Sequence, residues 1–187
     1  MRFETITDLP SLPLYREFDR LMGEGVIHWH EHERDQICIN TVPGREDDLF
    51  YGRGSLQYDW DNATTDENGR THVPERAVPL REQDFTVLCT QYRGTAFEQM
   101  YESLTARYNV GRVRIMNMKS KKCLTWHTDT SPRIHYPIKT QDGCFMVIED
   151  EVKHLPLYTW TKTDTTLPHT AFNGSKDSRY HIVATII

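Results

Sequence analysis

The sequence contains no long apolar run. No stretch approaches the roughly 18 residues that a bilayer-spanning helix needs, and the opening MRFETITDLP lacks the apolar centre of a secretory signal. We therefore expect a cytoplasmic protein that does not act at a membrane. Basic clusters are also scarce, since the net charge is −5 and the one basic run is KSKK at 119–122. Nucleic-acid binding is not predicted, because such domains usually present a clustered basic face.

Several common motifs are missing as well. The cysteines include no CxxC pair, which argues against a zinc knuckle or a disulfide framework and predicts reduced thiols at Cys38, Cys89, Cys123 and Cys144. The chain has no GxSxG, the turn that presents the nucleophile of many serine hydrolases. It also has no HExxH, the zinc-binding helix motif of many metallopeptidases. Hydrolysis by either of these mechanisms is not predicted.

The chain does contain enough apolar material for one core. It has 187 residues, of which 37% are hydrophobic, and this length predicts a single domain over 1–187. Leu12 to Met22 places its apolar residues on one helical face. A second helix is predicted over 96–108, opened by a capping box of Thr95 and Glu98. We expect these helices to lie in a supporting region at about 1–109.

Strand patterns dominate the remainder. Four segments are short and rich in β-branched residues: DQICINTV (35–42), VGRVRIMNM (110–118), GCFMVIEDE (143–151) and RYHIVATII (179–187). Turn-forming clusters separate them. The predicted fold class is mainly β, as a β-sandwich or jelly-roll barrel with the helices packed outside it. The barrel should comprise residues 110–187 together with earlier strands.

The longest irregular stretch runs from Pro43 to Pro79. A loop of that length is usually functional or mobile, and we interpret it as a lid over a site. Its glycines would permit such a movement; they are Gly44, Gly52, Gly54 and Gly69.

The stretch WHTDTSPRIHYPI, residues 126–138, contains candidate metal ligands. His127 and Asp129 are two positions apart, which places both side chains on one face of an extended strand. About one such pair is expected by chance at this composition, so the pair alone indicates little. His169, in LPHTAFNGS, adds a second imidazole. Two histidines and one carboxylate make a facial triad, which leaves metal positions open and suits non-haem Fe(II).

Arg179 is the candidate anion anchor, ten positions after His169. A keto acid that chelates the metal through its carboxylate and ketone keeps a distant second carboxylate. A planar guanidinium can pair with that group through two hydrogen bonds. We expect a hairpin turn at Asn173-Gly174 to place the strands of His169 and Arg179 side by side.

The pattern HTD, RIHYPI and PHTAFNGSKDSR, over about 110–187, resembles the iron(II)- and 2-oxoglutarate-dependent oxygenases. The specific resemblance is to the aspartyl/asparaginyl β-hydroxylase branch, which includes proline hydroxylases. It implies a double-stranded β-helix with His127 and Asp129 on an early strand and His169 on a late one, together binding Fe(II). Some aspartyl β-hydroxylases lack the acidic ligand, so Asp129 favours the amino-acid hydroxylating relatives.

The same resemblance implies a cosubstrate and a reaction. Arg179 would hold the 5-carboxylate of 2-oxoglutarate, and Arg133 and His135, which share one strand face in RIHYP, would line the cosubstrate pocket. The reaction would use O2 to hydroxylate a C–H bond of an amino acid or of an amino-acid side chain, releasing succinate and CO2. A free amino acid is the preferred substrate, and an exposed residue of a protein is the second choice.

Two other functions fit the same residues. In a non-catalytic cupin-like module they would hold a structural or sensory ion, although a site for a metal alone has no need of the carboxylate clamp at Arg179. A metal-dependent hydrolase or isomerase on a jelly roll would act without O2. Stoichiometric succinate formation under air would separate all three.

Other histidines and tryptophans are interpreted as structural. Alternating histidines in HWHEHER could form a second metal face, but a solvated edge is preferred because no acid is fixed nearby; they are His28, His30 and His32. Surface positions or structural hydrogen bonds are expected for His72, His154 and His181. Roles in the barrel core are expected for Trp126 and Trp160.

Overall fold

Two β-sheets form the framework of the molecule. The computed structural model describes residues 1–31 and 35–187, and its strands in chain order are β1 (Phe3–Ile6), β2 (Gln36–Cys38), β3 (Asn40–Thr41), β4 (Thr64–Thr65), β5 (Thr71–His72), β6 (Val87–Leu88), β7 (Val110–Met118), β8 (Lys122–Cys123), β9 (Arg133–Lys139), β10 (Cys144–Ile148), β11 (Glu151–Lys153), β12 (Trp160–Thr163), β13 (His169–Asn173) and β14 (Arg179–Ile186). The larger sheet has the order β1-β12-β9-β14-β7-β2 and the smaller β11-β10-β13-β8. Two further pairs, β3 with β6 and β4 with β5, are short.

The strands from β7 onward are shared between the two sheets. β7, β9, β12 and β14 belong to the larger sheet, whereas β8, β10, β11 and β13 belong to the smaller one. Neighbouring strands pair antiparallel throughout both sheets. A chain that passes repeatedly from one sheet to the other in this way is a jelly roll, or double-stranded β-helix. The predicted mainly β class is therefore confirmed.

The central strands of the larger sheet have two chemically different faces. Alternate residues point to opposite sides of a strand, and one set is apolar and packs into the main core: Val113, Ile115, Ile134, Tyr136, Ile138, Ile182 and Ala184. The other set is buried but polar: Arg112, Arg114, Arg133, His135, Arg179, His181 and Thr185. The sheet therefore holds the protein together with one face and presents buried polar groups on the other.

Two helices cover the apolar face of this sheet. They are α1 (Tyr15–Gly23) and α2 (Ala96–Thr105), and they bury Phe18 and Leu21, and Phe97, Met100 and Leu104, in the main core. Full burial of each such side chain contributes about 1.5–3 kcal/mol relative to exposure. The predicted positions outside the barrel agree with this packing, although α2 ends at Thr105 and not at residue 108.

The start of α2 differs in detail from the predicted capping box. Thr95 Oγ1 accepts a hydrogen bond from the Phe97 amide at 3.1 Å. The Glu98 carboxylate accepts from the Gly94 amide at 2.6 Å, one residue earlier than the reciprocal bond of a standard box. Both contacts still satisfy amide groups at the helix start.

The predicted hairpin at Asn173-Gly174 is wrong. β13 lies in the smaller sheet between β10 and β8, while β14 lies in the larger sheet between β9 and β7. The intervening chain therefore crosses from one sheet to the other. Asn173 stabilises the crossing, because its side-chain amide donates to the carbonyls of Met118 and Asp177 at 2.9 and 2.7 Å. The turn signal is local, and it does not specify which sheet the next strand joins.

The region before residue 110 contributes to the larger sheet as well as covering it. β1 pairs with β12 and β2 pairs with β7. The segment 43–79 is less irregular than predicted, since it contains β4, β5 and a 3-10 turn at Trp60–Asn62. Gly54 has a φ of +64° and lies against the Trp60 indole, where an added Cβ would approach Nε1 to 2.5 Å. No helix among the described residues is long and apolar enough to cross a membrane.

Candidate functional site

The three predicted metal ligands lie together at one end of the space between the sheets. One donor atom from each of His127, Asp129 and His169 lies within 4.8 Å of the others. His127 and His169 are joined by reciprocal backbone hydrogen bonds of 3.1 and 2.9 Å, which form an isolated antiparallel bridge. The Asp129 amide donates to the Thr165 carbonyl at 2.8 Å. These contacts bring together groups that are 42 positions apart in sequence.

The local setting of two ligands differs from the expectation. His127 and Asp129 were expected on an early barrel strand, but His127 forms a single bridge and Asp129 follows it in a loop. His169 is the first residue of β13, as expected for a late strand. The loop around Asp129 contains Ser131 and Pro132, and proline cannot supply the amide that a continuing ladder needs.

Backbone carbonyls determine which ring nitrogens can bind a metal. His127 Nδ1 lies 2.8 Å from the Thr125 carbonyl, and His169 Nδ1 lies 3.0 Å from the Leu167 carbonyl. Because a carbonyl only accepts hydrogen bonds, both Nδ1 atoms carry the proton. The Nε2 lone pairs are then available for coordination, and the carbonyls fix the orientation of the rings.

Asp129 is suited to be the anionic member of the set. Burial alone would raise its pKa, but the hydrogen bond and positive charge of Arg133, helped by His169 and His127, hold that pKa below its usual range. The Arg133 Nε–H donates to Asp129 Oδ2 at 3.0 Å. Burial also lowers the pKa of His169, so at neutral pH the carboxylate is ionised and His169 is neutral. This donor set fits a divalent transition metal such as Fe(II).

The same residues line a large cavity between the sheets. Its volume is about 1240 Å³, and its lining includes His127, Asp129, His169, Arg133, His135 and Arg179. All six candidate site residues therefore face one space. Residues 54–57 and Trp60, from the segment interpreted as a lid, also line the cavity. Closure of that segment stays a prediction.

Arg179 is a buried cation for which the described residues provide no hydrogen-bond or ion-pair partner. It starts β14 and is 6% exposed, and within 1–31 and 35–187 its guanidinium makes no hydrogen bond or ion pair. Burial lowers the pKa of Arg179 to about 10, so the side chain is still charged at neutral pH. A buried charge is costly unless it is paired, and Arg179 is therefore available to an anion in the cavity.

His135 and His181 lie beside this cation. Their rings are edge to face with centroids 5.8 Å apart, and neither ring has a hydrogen-bond partner among the described residues. Burial, followed by the charges of Arg179 and Arg133, lowers the pKa of His135 to about 3. His181 was expected to be exposed or hydrogen-bonded, which is wrong because it is 2% exposed and neither ring nitrogen has a hydrogen-bond partner among the described residues; the alternating pattern of β14 places it on the inner face.

Arg133 makes different contacts from those expected of a cosubstrate ligand. Besides Asp129, its guanidinium contacts Glu82 and the Thr185 hydroxyl. The protein's own carboxylates thus already occupy much of its donor capacity. A direct contact of Arg133 with a cosubstrate stays a prediction.

The sequence interpretation missed three charged residues in this region. Arg112 and Arg114 lie on the cavity face of β7, and Glu82 lies in the 3-10 turn Glu82–Asp84. Burial, followed by the charge of Arg112, lowers the pKa of Arg114 to about 9. A signal was present, because arginines at alternate positions of an otherwise apolar strand are unusual in a buried sheet.

The other aromatic and histidine residues have mixed outcomes. Trp160 is buried in the core as expected, whereas Trp126 is 54% exposed and not a core residue, because the loop that carries it lies outside the sheets. His72 and His154 make the expected hydrogen bonds, to Asp66 and to the Cys144 carbonyl. Within HWHEHER, His28 and His30 contact the Phe50 ring, and His32 lies outside the described residues.

A family model for aspartyl/asparaginyl β-hydroxylases matches residues 53–187, which is most of the chain and includes every candidate site residue. The chain belongs to the aspartyl/asparaginyl β-hydroxylase family. The resemblance inferred from the sequence motifs is thus confirmed, and the match begins well before those motifs.

One relative of this chain is an L-proline cis-4-hydroxylase from Rhizobium meliloti (strain 1021), which is 27% identical to it over 118 residues. That alignment covers 60% of this chain and 39% of the relative, so the chain spans well under half of the relative's length. Among solved structures, AviO1 from Streptomyces viridochromogenes Tue57 has a TM-score of 0.46 at 11% identity, covering 98% of this chain and 88% of that one. A 2OG-Fe(II) oxygenase family protein from Burkholderia pseudomallei has a TM-score of 0.42 at 16% identity, covering 70% and 72%.

Proposed function

We propose that this protein is an Fe(II)- and 2-oxoglutarate-dependent hydroxylase. The observation that carries the proposal is Arg179, a buried cation that has no partner among the described residues and lies in the same cavity as the His127, Asp129 and His169 set. A metal alone would not require such a cation, but a chelating dianion with a second carboxylate would. Membership of a hydroxylase family supports the same reaction class.

Each group in the cavity has a role under this proposal. His127, Asp129 and His169 hold the metal, with the two imidazoles oriented by carbonyls of the chain. Arg179 binds the distal carboxylate of 2-oxoglutarate, and neutral His135 can donate a further hydrogen bond. Fe(II), 2-oxoglutarate and O2 would together supply the oxidation of a C–H bond, with release of succinate and CO2.

Arg114 supports an amino acid as the primary substrate. Arg114 is 8% exposed and lines the cavity, and its guanidinium donates to Gln36 Oε1 at 2.7 Å. It forms no ion pair with a carboxylate in the part of the chain that the structure describes. We propose that it binds the carboxylate of a free amino acid, with proline as the first candidate because a relative is an L-proline cis-4-hydroxylase. A protein side chain is the second candidate, and a cytoplasmic location stays a prediction.

Turnover of 2-oxoglutarate with separate amino acids tests the proposal. Succinate should form under air only with a suitable amino acid, in equal amount to the hydroxylated product. It should not form without O2 or in His169→Ala. Product formation without O2 would indicate a hydrolase or isomerase instead. Metal binding without succinate, across free amino acids and peptides, would favour the non-catalytic cupin-like module.

A further inference from the structure

The candidate metal ligand Asp129 belongs to a larger chain of buried and half-buried charges. Arg133, 6% exposed on β9, donates from Nε to Asp129 Oδ2 at 3.0 Å. The other end of the same guanidinium points away from the metal site. Its Nη1 lies 3.4 Å from Glu82 Oε1 and also contacts the Thr185 hydroxyl. Arg133 therefore bridges two carboxylates.

Glu82 is the centre of this chain. Arg112 binds it in a bidentate manner, from Nε to Oε2 at 3.0 Å and from Nη2 to Oε1 at 2.8 Å. The Thr185 hydroxyl donates to Oε2 at 3.0 Å. Burial alone would raise the pKa of Glu82, but the charges of Arg112, Arg114 and Arg133 outweigh it and hold the pKa below its usual range. Glu82 is thus an ionised group shared among buried cations.

The chain of contacts continues to the backbone at residues 52–54, of which Gly54 lines the cavity. Arg112 Nη1 donates to the carbonyls of Gly52 and Gly54 at 2.5 and 2.8 Å. Gly52 is packed so closely that an added Cβ would meet the Phe85 ring at 2.4 Å. A continuous set of polar contacts therefore joins this backbone to Asp129.

We propose that Glu82 is a positioning residue for the metal site: it holds one end of Arg133, and thereby keeps an oxygen of Asp129 available to the metal. The inference rests on the proposed function. It assigns to Arg133 the role of orienting the metal ligand Asp129. Because Glu82 also binds Arg112, the position of Asp129 is linked to the backbone at Gly52 and Gly54.

Electrostatics explains why Glu82 matters for Asp129. If Glu82 were neutral, Arg133 would lose one of its two carboxylate partners and would pair more strongly with Asp129. A bidentate guanidinium occupies both oxygens of a carboxylate, so it would compete with the metal for the same group. Partners that orient metal ligands typically change metal affinity 10- to 100-fold when they are removed.

Glu82→Gln tests the inference, since it keeps the shape of the side chain and removes its charge. Co(II) affinity should be measured without 2-oxoglutarate or substrate, by titration of the ligand-field absorption under argon. We expect a dissociation constant 10- to 100-fold larger and altered absorption bands of bound Co(II). Glu102→Gln, an exposed glutamate of α2, is the matched control and should bind Co(II) like the wild type.

Including His169→Ala distinguishes a failure of the Glu82 inference from a failure of the proposed metal site. If Glu82→Gln binds Co(II) like the wild type while His169→Ala does not, the role of Glu82 is wrong and the metal site stands. If all three proteins bind equally, the metal assignment itself is wrong, and the role of Glu82 is wrong with it. Thr185→Val provides a milder test if Glu82→Gln does not fold. It should weaken Co(II) binding at least threefold, and unchanged affinity would overturn the inference.

Discussion

Replacing Arg179 with methionine should have opposite effects on cosubstrate binding and on the stability of the ligand-free protein. Methionine is uncharged and matches the arginine side chain only as far as Nε, so it fills the space of the aliphatic part and leaves the space of the terminal guanidinium atoms. The structure shows no protein partner for Arg179 within the described residues. Its loss should therefore remove an anion contact without disrupting an internal ion pair.

The loss of 2-oxoglutarate affinity follows from the burial of Arg179. Removing one partner of a buried, hydrogen-bonded charge pair costs about 2–5 kcal/mol. Since about 1.4 kcal/mol corresponds to a tenfold change in an equilibrium constant, the dissociation constant should rise at least tenfold. Metal affinity should change little, because the metal ligands are held by contacts that do not involve Arg179.

The gain in stability follows from the cost of the unpaired charge. Burial lowers the pKa of Arg179 to about 10, roughly two to three pH units below the ordinary value of a guanidinium, and each pH unit corresponds to about 1.4 kcal/mol. A cation whose pKa falls on folding destabilises the folded state at every pH below the lower pKa, which includes neutral pH. Up to about 3 kcal/mol could be recovered, and each 1 kcal/mol raises Tm by about 2–4 °C at this chain length.

Two measurements test the predicted rise in Tm and the predicted loss of 2-oxoglutarate affinity. Differential scanning calorimetry of the ligand-free proteins gives the change in Tm. Calorimetric titration of 2-oxoglutarate into the proteins in the presence of Mn(II), under argon, gives the dissociation constant of 2-oxoglutarate. Arg93→Met, an exposed position, is the control. A lower Tm combined with unchanged 2-oxoglutarate affinity would show that Arg179 is a structural residue and refute the reasoning.

Three further predictions address the rest of the cavity. His169→Ala and Asp129→Ala should each bind Fe(II) at least tenfold more weakly in anaerobic titrations; equal affinity to the wild type would contradict the ligand assignment. Arg114→Met should raise the KM for the amino acid at least tenfold with little effect on the 2-oxoglutarate KM, and the reverse pattern would exclude it from the substrate subsite. Saturating amino acid should slow proteolysis within residues 43–79 when Fe(II) and 2-oxoglutarate are present under argon, whereas protection only by a folded protein partner would favour a protein hydroxylase.

The grouping of the candidate metal ligands could be predicted from the sequence because their chemical types are informative. An HxD pair followed by a distal histidine and arginine suggested one metal and one anion, and the structure brings these residues to one cavity. The strand pattern was equally informative, since period-two alternation identified β7 and β14 almost to the residue. These signals are local and depend on side-chain chemistry.

The crossing between sheets could not be predicted in the same way. Asn173-Gly174 is a strong turn signal, but a turn specifies only that the chain changes direction. The partners of β13 and β14 are chosen by long-range packing, as β14 pairs with residues of β9 more than 40 positions earlier. Similarly, Arg112 is visible in the sequence as a charge in an apolar strand, whereas its partner Glu82 lies 30 positions away in a segment without a strand pattern.

The charge balance of the cavity limits what it can bind. Four buried arginines line it: Arg112, Arg114, Arg133 and Arg179. Among the described residues, the carboxylates in contact with them are Glu82 and Asp129, so these four cations and two anions leave an excess of two positive charges before any divalent metal binds. Desolvated charges require partners; under the proposed function the distal carboxylate of 2-oxoglutarate would supply one to Arg179, and the carboxylate of the amino acid would supply one to Arg114. A neutral occupant would leave Arg179 and Arg114 without anions, so we expect a preference for carboxylates to depend on the whole inner face of the larger sheet and not on Arg179 alone.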